Sequence, residues 1–211
     1  MSAAMHDDHC IFVVDDDRSV LTALSRLLTT AGYHVRTFES PRSFLAAHDP
    51  EVPGCALLDV GMAEVDGLAL QDILTRSGHT RPIIFITGND DVKTSVRAMK
   101  AGALDYLTKP VQDTALLAAV ESAIGADIEA RRTRGERDGL KSRYAQLTPR
   151  EREVMALVTR GRLNKQIAAD LGIVEKTVKV HRARVMEKMG VRSVAALVHI
   201  AEKLASAAGF S

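Results

Sequence analysis

The chain has 211 residues, of which 46% are hydrophobic and 26% are charged. This length leaves room for one large domain or two small ones, and the composition is that of an ordinary globular protein. The longest apolar runs fall far short of the roughly 18 residues that a membrane span requires. Because residues 1–10 are acidic and lack an apolar run behind a basic start, we expect no export signal, and the cytosol is the default location.

Charge is distributed unevenly along the chain, although the net value is only +1. Residues 1–125 contain 10 Lys and Arg against 17 Asp and Glu, residues 126–146 contain 6 against 4, and residues 147–211 contain 12 against 6. An acidic front segment joined to a basic back segment predicts two domains with different partners, and the basic one suits a polyanion.

The front segment alternates apolar strand patterns with amphipathic helix patterns. The strands are predicted at residues 10–14, 33–38, 55–59, 82–87 and 105–109. The helices are predicted at residues 19–31, 41–48, 68–76, 91–101 and 114–124. This alternation, without tight hairpins, predicts a doubly wound α/β domain with a five-stranded parallel sheet and helices on both faces.

Polar side chains stand where several of these strands end. Asp15 and Asp16 follow the first strand, Asp59 ends the third, Thr87 ends the fourth and Lys109 ends the fifth. The carboxyl ends of parallel strands meet at one edge of a sheet, where such folds bind ligands. Crowded carboxylates repel unless a cation lies among them, and an oxygen-rich site with few protein ligands suits Mg²⁺. A metal, a lysine and a hydroxyl around one carboxylate can transfer a phosphoryl group to it.

The motifs VVDD, LLD, ITG and YLTKP, in this order and spacing, resemble the receiver domain of two-component response regulators. The resemblance implies that Asp59 is the phosphoacceptor and that Asp15, Asp16, Asp59 and the backbone carbonyl of Gly61 hold Mg²⁺. It further implies that Thr87 bonds the phosphoryl group, that Lys109 pairs with Asp59 and that Tyr106 is the aromatic switch residue.

The segment departs from the receiver pattern after the acceptor. Met62 is followed by Ala63 where the family commonly has proline, and Gly61 lacks the side chain that many relatives have there. We therefore expect a less rigid and less shielded loop. Asp17 is better interpreted as an acid at a helix N-terminus than as a metal ligand.

A phosphohydrolase of the haloacid-dehalogenase type is an alternative, because VVDDD followed by ITG also fits its pattern. That fold expects further acidic ligands after its lysine, where this segment has only Asp113, and it leaves Asp59 unexplained.

Residues 126–146 form a charged stretch that can be a helix or a flexible linker, since Gly135 and Gly139 interrupt the helical spacing. We predict a first domain over residues 1–125, this linker over 126–146 and a second domain over 147–211.

The back segment shows four helix patterns with clear boundaries. Thr148, Pro149 and Glu151 form a capping-box start, and Asn164 is a plausible cap for the second helix. Gly172 and Gly190 end the second and third helices, and Ser193 caps the fourth. A short helix, a glycine turn and a longer basic helix are the layout of a helix-turn-helix.

The motifs LTPRE, NKQIA, TVKVH and KMGVRS resemble the LuxR-type four-helix DNA-binding domain, and with the first domain they indicate a regulator of the FixJ/NarL class. The resemblance places Lys179 and Val180 toward base edges. Five other side chains are interpreted as phosphate contacts, which position the helix without reading bases. They are Asn164, Lys165, Thr177, His181 and Arg182, with a partly buried spacer role as the alternative for His181. Lys176 and Arg184 are further DNA-binding cations of the same helix.

These features predict a transcriptional regulator rather than a turnover enzyme. A histidine kinase would phosphorylate Asp59, and the altered first domain would dimerise and permit sequence-specific binding to double-stranded DNA. A regulator that binds DNA without phosphorylation remains an alternative. The fourth helix carries an apolar stripe, part of which we expect to meet its copy on a two-fold operator. The stripe consists of Val194, Leu197, Val198, Ala201 and Leu204.

Overall fold

The computed structural model of the chain describes residues 9–62, 66–78, 81–88 and 92–207. The chain divides into two compact units, over residues 1–131 and 132–211. The predicted domain boundaries at 125/126 and 146/147 stay a prediction. Among the described residues, no helix is both long enough and apolar enough to cross a membrane.

The first unit contains a parallel sheet of five strands in the order β2-β1-β3-β4-β5. The strands are β1 (Cys10–Val14), β2 (His34–Phe38), β3 (Gly54–Asp59), β4 (Ile83–Thr87) and β5 (Asp105–Thr108). The helices that begin in this unit are α1 (Arg18–Thr30), α2 (Pro41–Ala47), α3 (Gly67–Arg76), α4 (Val92–Lys100) and α5 (Asp113–Ala145). The predicted doubly wound α/β fold is confirmed.

Two apolar clusters cover the two faces of the sheet, because successive strand residues point to opposite sides. Ile11 and Val13 of β1 pack with α1 and the start of α5. Phe12 and Val14 pack with α2, α3 and α4. Cys10 and Cys55 are buried, free thiols on the two opposite faces.

Helix α5 extends 21 residues beyond the predicted end at residue 124, to Ala145, so the charged stretch is helical. Gly135 and Gly139 do not interrupt it, although a glycine costs a helix about 1 kcal/mol relative to alanine. Ion pairs one turn apart support the helix, from Arg131 to Asp127 and from Arg132 to Glu136.

Contacts with the sheet also hold α5 at residues 127 and 131. The buried Asp127 accepts hydrogen bonds from the Gly54 amide and from Arg131 Nε, both at 2.8 Å. Arg131 also donates to the carbonyl oxygens of Pro50 and Val52, at 2.8 and 3.0 Å. Asp127 and Arg131 thus form a clamp on the segment before β3, which no pattern in the sequence indicates.

The second unit contains four helices after the end of α5, which confirms the predicted all-α architecture. They are α6 (Pro149–Thr159), α7 (Asn164–Leu171), α8 (Glu175–Met189) and α9 (Val194–Ala207). The capping box is present, because Glu151 N donates to Thr148 Oγ1 and Thr148 N donates to Glu151 Oε2. Gly172 and Gly190 end α7 and α8 in the left-handed conformation, at φ of 64° and 68°.

The prediction that Asn164 caps α7 is wrong. Leu163 occupies the cap position, and its amide donates to Gln166 Oε1 at 3.0 Å. Asn164 is the first helical residue, and its side-chain oxygen accepts a hydrogen bond from Arg182 Nη1 of α8 at 2.5 Å. The side-chain amide of Asn164 therefore joins α7 to α8 and does not cap α7.

Part of the apolar stripe of α9 is buried in the core of the second unit. Leu197 is 1% exposed and packs among the residues of α6 and α8, and Ala201 and Leu204 pack partly against the same cluster. Leu197 is therefore a core residue and not part of a surface that could meet a second copy.

Candidate functional site

The carboxyl edge of the sheet gathers the side chains that the sequence predicted there. Lys109 follows β5, and its ammonium Nζ donates to Asp15 Oδ2 and to Asp59 Oδ1, both at 2.7 Å. Asp15 is 2% exposed, Asp59 is 6% exposed and Thr87 at the end of β4 is 3% exposed. One cation thus bridges two buried carboxylates from neighbouring strands.

Asp16 completes a cluster of three acids at this edge. One oxygen from each of Asp15, Asp16 and Asp59 lies within 4.8 Å of the other two, and Asp16 is exposed to solvent. An all-oxygen donor set with one side open to water fits a small divalent cation such as Mg²⁺. The chemistry of the described residues therefore fits the ion that the sequence predicted.

Burial and charge act in opposite directions on the ionisable groups of the cluster. Burial raises the pKa of Asp15, although the hydrogen bond from Lys109 lowers it in part. Burial alone would lower the pKa of Lys109, but its hydrogen bonds to Asp15 and Asp59 outweigh burial and raise it. Lys109 therefore stays protonated between two buried carboxylates, and a bound cation would offset the repulsion among the three acids.

The backbone around Asp59 fixes its carboxylate. The Gly61 amide donates to Asp59 Oδ2 at 2.8 Å. A Cβ at Gly67 would lie 2.4 Å from the Asp59 carbonyl oxygen and 2.9 Å from Phe85 Cε1, so only glycine fits where α3 begins. Gly67 is a supporting residue that sequence analysis missed, because a close approach between distant backbones leaves no local signal. Ala63 lies outside the described residues.

An open cleft of about 400 Å³ extends from the Asp59 carboxylate. Its lining includes Asp59, Gly61, Thr87, Thr94, Tyr106 and Lys109. Tyr106 lies beside Phe85, with ring centroids 6.4 Å apart, and its buried hydroxyl has no hydrogen-bond partner among the described residues. Thr94 of α4 was not predicted, since its position in sequence carries no motif. The cleft joins the predicted switch residues to the acid cluster.

Asp17 has the structural role that the sequence predicted. It caps α1, because its Oδ1 accepts a hydrogen bond from the Ser19 amide at 2.7 Å. Its own amide donates to Asp15 Oδ1 at 2.9 Å. Asp17 therefore orients its neighbour instead of joining the acid cluster.

The second unit presents the predicted basic helix, α8, behind the short helix α7. Lys176, Lys179 and Arg184 are exposed, as is Lys165 on α7. Val180 is 45% exposed, whereas Val178 and Val185 of the same helix are buried. Lys179 Nζ lies 3.9 Å from Glu175 Oε1, a contact too long and too exposed to hold the side chain in place.

Other predicted DNA-contact residues are less exposed. Thr177, His181 and Arg182 are half-buried, and Arg182 is bonded to Asn164. His181 Nδ1 is buried and has no hydrogen-bond partner in the part of the chain that the structure describes. Of these three residues, Arg182 therefore joins α8 to α7, and all three are less accessible than Lys179 and Val180.

A buried ion pair fixes the end of α8. Glu151, 2% exposed, accepts a hydrogen bond from Lys188 Nζ at 2.6 Å, and Lys188 also donates to the Gln146 carbonyl oxygen. The Lys188 ammonium and the Thr148 amide lower the pKa of Glu151 to about 2. The basic helix is thus held by its own carboxyl end to the turn that precedes α6.

The fold and sites described here define a two-part regulator: an α/β unit with an acidic cleft, followed by a helix-turn-helix unit. Comparison with known proteins gives the family. Residues 11–121 match the response regulator receiver domain, and residues 145–201 match the bacterial regulatory proteins of the luxR family. The chain belongs to the response regulators of the FixJ/NarL class, and it is a transcriptional regulator.

Relatives with known roles match over nearly the whole chain. Nodulation protein W of Bradyrhizobium diazoefficiens is 44% identical over 92% of this chain and 86% of its own length. Transcriptional regulatory protein FixJ of Azorhizobium caulinodans is 41% identical over 90% of each chain. The structure of response regulator StyR is 46% identical, with a TM-score of 0.85, over 93% of this chain and 99% of StyR.

These relatives are regulators and not turnover enzymes, so the phosphohydrolase alternative is wrong. The pairing of a receiver domain with a LuxR-type domain indicates a histidine kinase and DNA as partners.

Proposed function

We propose that Asp59 accepts a phosphoryl group from a histidine kinase and that its phosphorylation controls DNA binding by the second unit. The observation that carries the proposal is the Lys109 ammonium, which lies 2.7 Å from both Asp15 and Asp59. It neutralises charge beside one nucleophilic carboxylate that opens into a cleft. Asp15, although equally close to Lys109, is not among the residues that line this cleft.

The transfer needs little covalent chemistry from the protein. An Asp59 carboxylate oxygen attacks phosphorus, the bond from phosphorus to the kinase histidine nitrogen breaks, and an acyl phosphate forms. Lys109 then pairs with the new phosphoryl charge, and Thr87 donates its hydroxyl to a phosphoryl oxygen. Tyr106, whose buried hydroxyl is unpartnered, gains freedom to turn when Thr87 moves toward the phosphoryl group.

Asp15, Asp16, Asp59 and the backbone carbonyl of Gly61 would hold Mg²⁺. The ion would neutralise charge on the transferred phosphoryl oxygens. Lys109 bonds two of these acids, Asp15 and Asp59, and the ion would add to that positive charge.

The functional division follows residues 1–125 as receiver, 126–146 as linker and 147–211 as DNA-binding domain. Lys179 and Val180 would contact base edges in the major groove, because both are exposed on α8. The phosphate contacts would be Asn164, Lys165, Thr177, His181 and Arg182, and Lys176 and Arg184 would add positive charge to the DNA-binding helix. A phosphorylated homodimer would recognise a two-fold operator, and the protein would act in the cytoplasm, where its DNA lies.

Phosphorylation with a small-molecule donor tests the acceptor. Acetyl phosphate and Mg²⁺ should label the wild-type protein with a base-labile acyl phosphate, and Asp59→Asn should carry no label. Asp66→Asn is a matched control, since Asp66 caps α3 through the Ala69 amide, a role that asparagine also fills. Full labelling of Asp59→Asn would assign the acceptor elsewhere.

A further inference from the structure

The second unit contains a groove that the DNA-binding site does not use. It has a volume of about 480 Å³ and lies among the last turns of α5, α6 and the last turns of α9. Met155 and Leu204 contribute apolar surface, and the Tyr144 ring forms part of its wall. Met155 is 4% exposed, whereas Tyr144 is 37% exposed. The groove therefore combines a buried apolar floor with an accessible mouth.

The charged residues that line this groove all have the same sign. They are Lys141, Arg152 and Arg160, and none of the described lining residues is acidic. Lys141 and Arg160 form no ion pair within the described part of the chain. Arg152 is held in place, because its guanidinium lies 5.3 Å from the Tyr144 ring centroid and donates to the Ala145 carbonyl oxygen at 3.1 Å. An apolar floor with three cations around it favours an anion that has an apolar body.

Size and charge distinguish among the possible occupants. A second copy of the chain would bring the same three cations against these three, which repels unless counter-charges intervene. A standard protein interface takes about 20–30 residues from each side, whereas ten described residues line the groove. Ligand pockets of about 300–1,000 Å³ are typical of small molecules. The volume and the charge thus favour a small amphipathic anion.

We propose that this groove binds a small carboxylate with an unbranched or aromatic apolar body. The apolar body would lie against Met155, Leu204 and Tyr144. The carboxylate would lie at the mouth, within reach of the cations Lys141 and Arg160, with Arg152 as a third. Such a ligand would contact α5, α6 and α9 together and would link the second unit to the concentration of a small acid.

Isothermal titration of the full-length protein with decanoate, below its micellar concentration, tests the proposal. We expect saturable binding at one site per chain. Decanol has the same alkyl chain length with an uncharged hydroxyl in place of the carboxylate, and decyltrimethylammonium has a positively charged head group. Both should bind at least about fivefold more weakly, the factor that 1 kcal/mol of ion pairing corresponds to.

Substitutions locate the site. Lys141→Gln and Arg160→Gln should each weaken decanoate binding by about two- to fivefold, as expected for a partly exposed ion pair. Ala156→Phe fills the groove from an exposed position on α6 and should abolish binding. Arg137→Gln is the matched control, because Arg137 is an exposed cation on α5 that does not line the groove.

Circular dichroism shows whether each variant is folded, and Ala205→Phe replaces Ala156→Phe if the latter is not. The proposal is overturned if decanoate does not bind, if the filled variants bind it unchanged, or if decanol binds as tightly as decanoate. If the filled variants bind decanoate as the wild type does but change the monomer–dimer equilibrium in sedimentation, a second copy of the chain is the occupant and the proposal is also overturned.

Discussion

The acidic cleft of the first unit and the basic helix of the second are built in opposite ways. In the cleft, Asp15 and Asp59 are buried, and Lys109 bonds both at 2.7 Å. On α8, Lys179 and Val180 are exposed, and the nearest carboxylate to Lys179 is 3.9 Å away. Phosphoryl transfer requires side chains that are fixed before the reactant arrives, whereas side chains that contact a DNA groove can be ordered by the DNA when it binds.

What the two sites share is a rigid support beneath them. Gly67 lets the start of α3 pass close to the Asp59 backbone, and the Glu151–Lys188 pair holds the end of α8. The difference between the sites therefore lies in the side chains that meet the ligand and not in the scaffold. Substitutions in the acid cluster, at the Gly67 support, on the exposed face of α8 and in the Glu151–Lys188 pair test this difference.

The largest effect is expected in the acid cluster. Asp15→Asn and Asp16→Asn each remove one negative charge from three oxygens within 4.8 Å of one another, so Mg²⁺ affinity should fall by about 10- to 100-fold. Calorimetric titration with Mg²⁺ measures the change. Asp17→Asn is the control, since Asp17 caps α1 and lies outside the cluster. Unchanged affinity in both cluster variants would mean that the metal binds elsewhere.

A pair of glycine substitutions tests the support of the cleft. Gly67→Ala should destabilise the protein by about 2–3 kcal/mol, because the new methyl group overlaps the Asp59 carbonyl oxygen and the Phe85 ring. Gly61→Ala should be close to neutral, since its Cβ would lie at an ordinary 3.4 Å from Asp59 Oδ2. Urea unfolding compares them. Equal stability of the two variants would remove the close-approach explanation for Gly67.

On α8, the expected losses are smaller and depend on the DNA sequence. Lys179→Ala should weaken a cognate site by about 1–2 kcal/mol and random DNA very little, because an exposed side chain at a base edge carries specificity. Arg182→Ala should weaken both and lower the salt slope by about one. Fluorescence anisotropy at several salt concentrations separates the two. Equal losses on both DNAs for Lys179→Ala would exclude it from base recognition.

The remaining effect concerns pH and the support of α8. Because bonding to Lys188 lowers the pKa of Glu151 to about 2, from 4.5, its stabilising contribution is complete above about pH 4.5 and is lost as pH falls toward 2. Glu151→Gln should therefore make stability less dependent on pH across that interval, as measured by urea unfolding. Glu153→Gln, at an exposed position, is the control. A Glu151→Gln variant with the wild-type pH dependence would contradict the assigned ion pair.

Local signals explain what the sequence could predict. The five strands, the Thr148–Glu151 capping box and the glycine helix ends all depend on residues within one turn or strand, so their pattern is visible in the chain. Strand ends in a parallel sheet share one edge, which also made the grouping of Asp15, Asp59 and Lys109 predictable.

Contacts between distant segments explain the features that could not be predicted from the sequence. The helix continues past Gly135 because neighbouring ion pairs and the Asp127–Arg131 clamp on the segment before β3 outweigh the cost of glycine. Asn164 was assigned as a cap because its partner, Arg182, is 18 residues away. Gly67 and Thr94 entered the site only through the packing of α3 and α4.

The central claim is that phosphorylation of Asp59 controls DNA binding. The most direct measurement is the affinity of the full-length protein for an operator, selected from random DNA, with and without acetyl phosphate and Mg²⁺. The account predicts tighter binding by the wild-type protein when the donor is present and no change for Asp59→Asn. Wild-type affinity that ignores the donor would contradict it and would favour a regulator that binds DNA without phosphorylation.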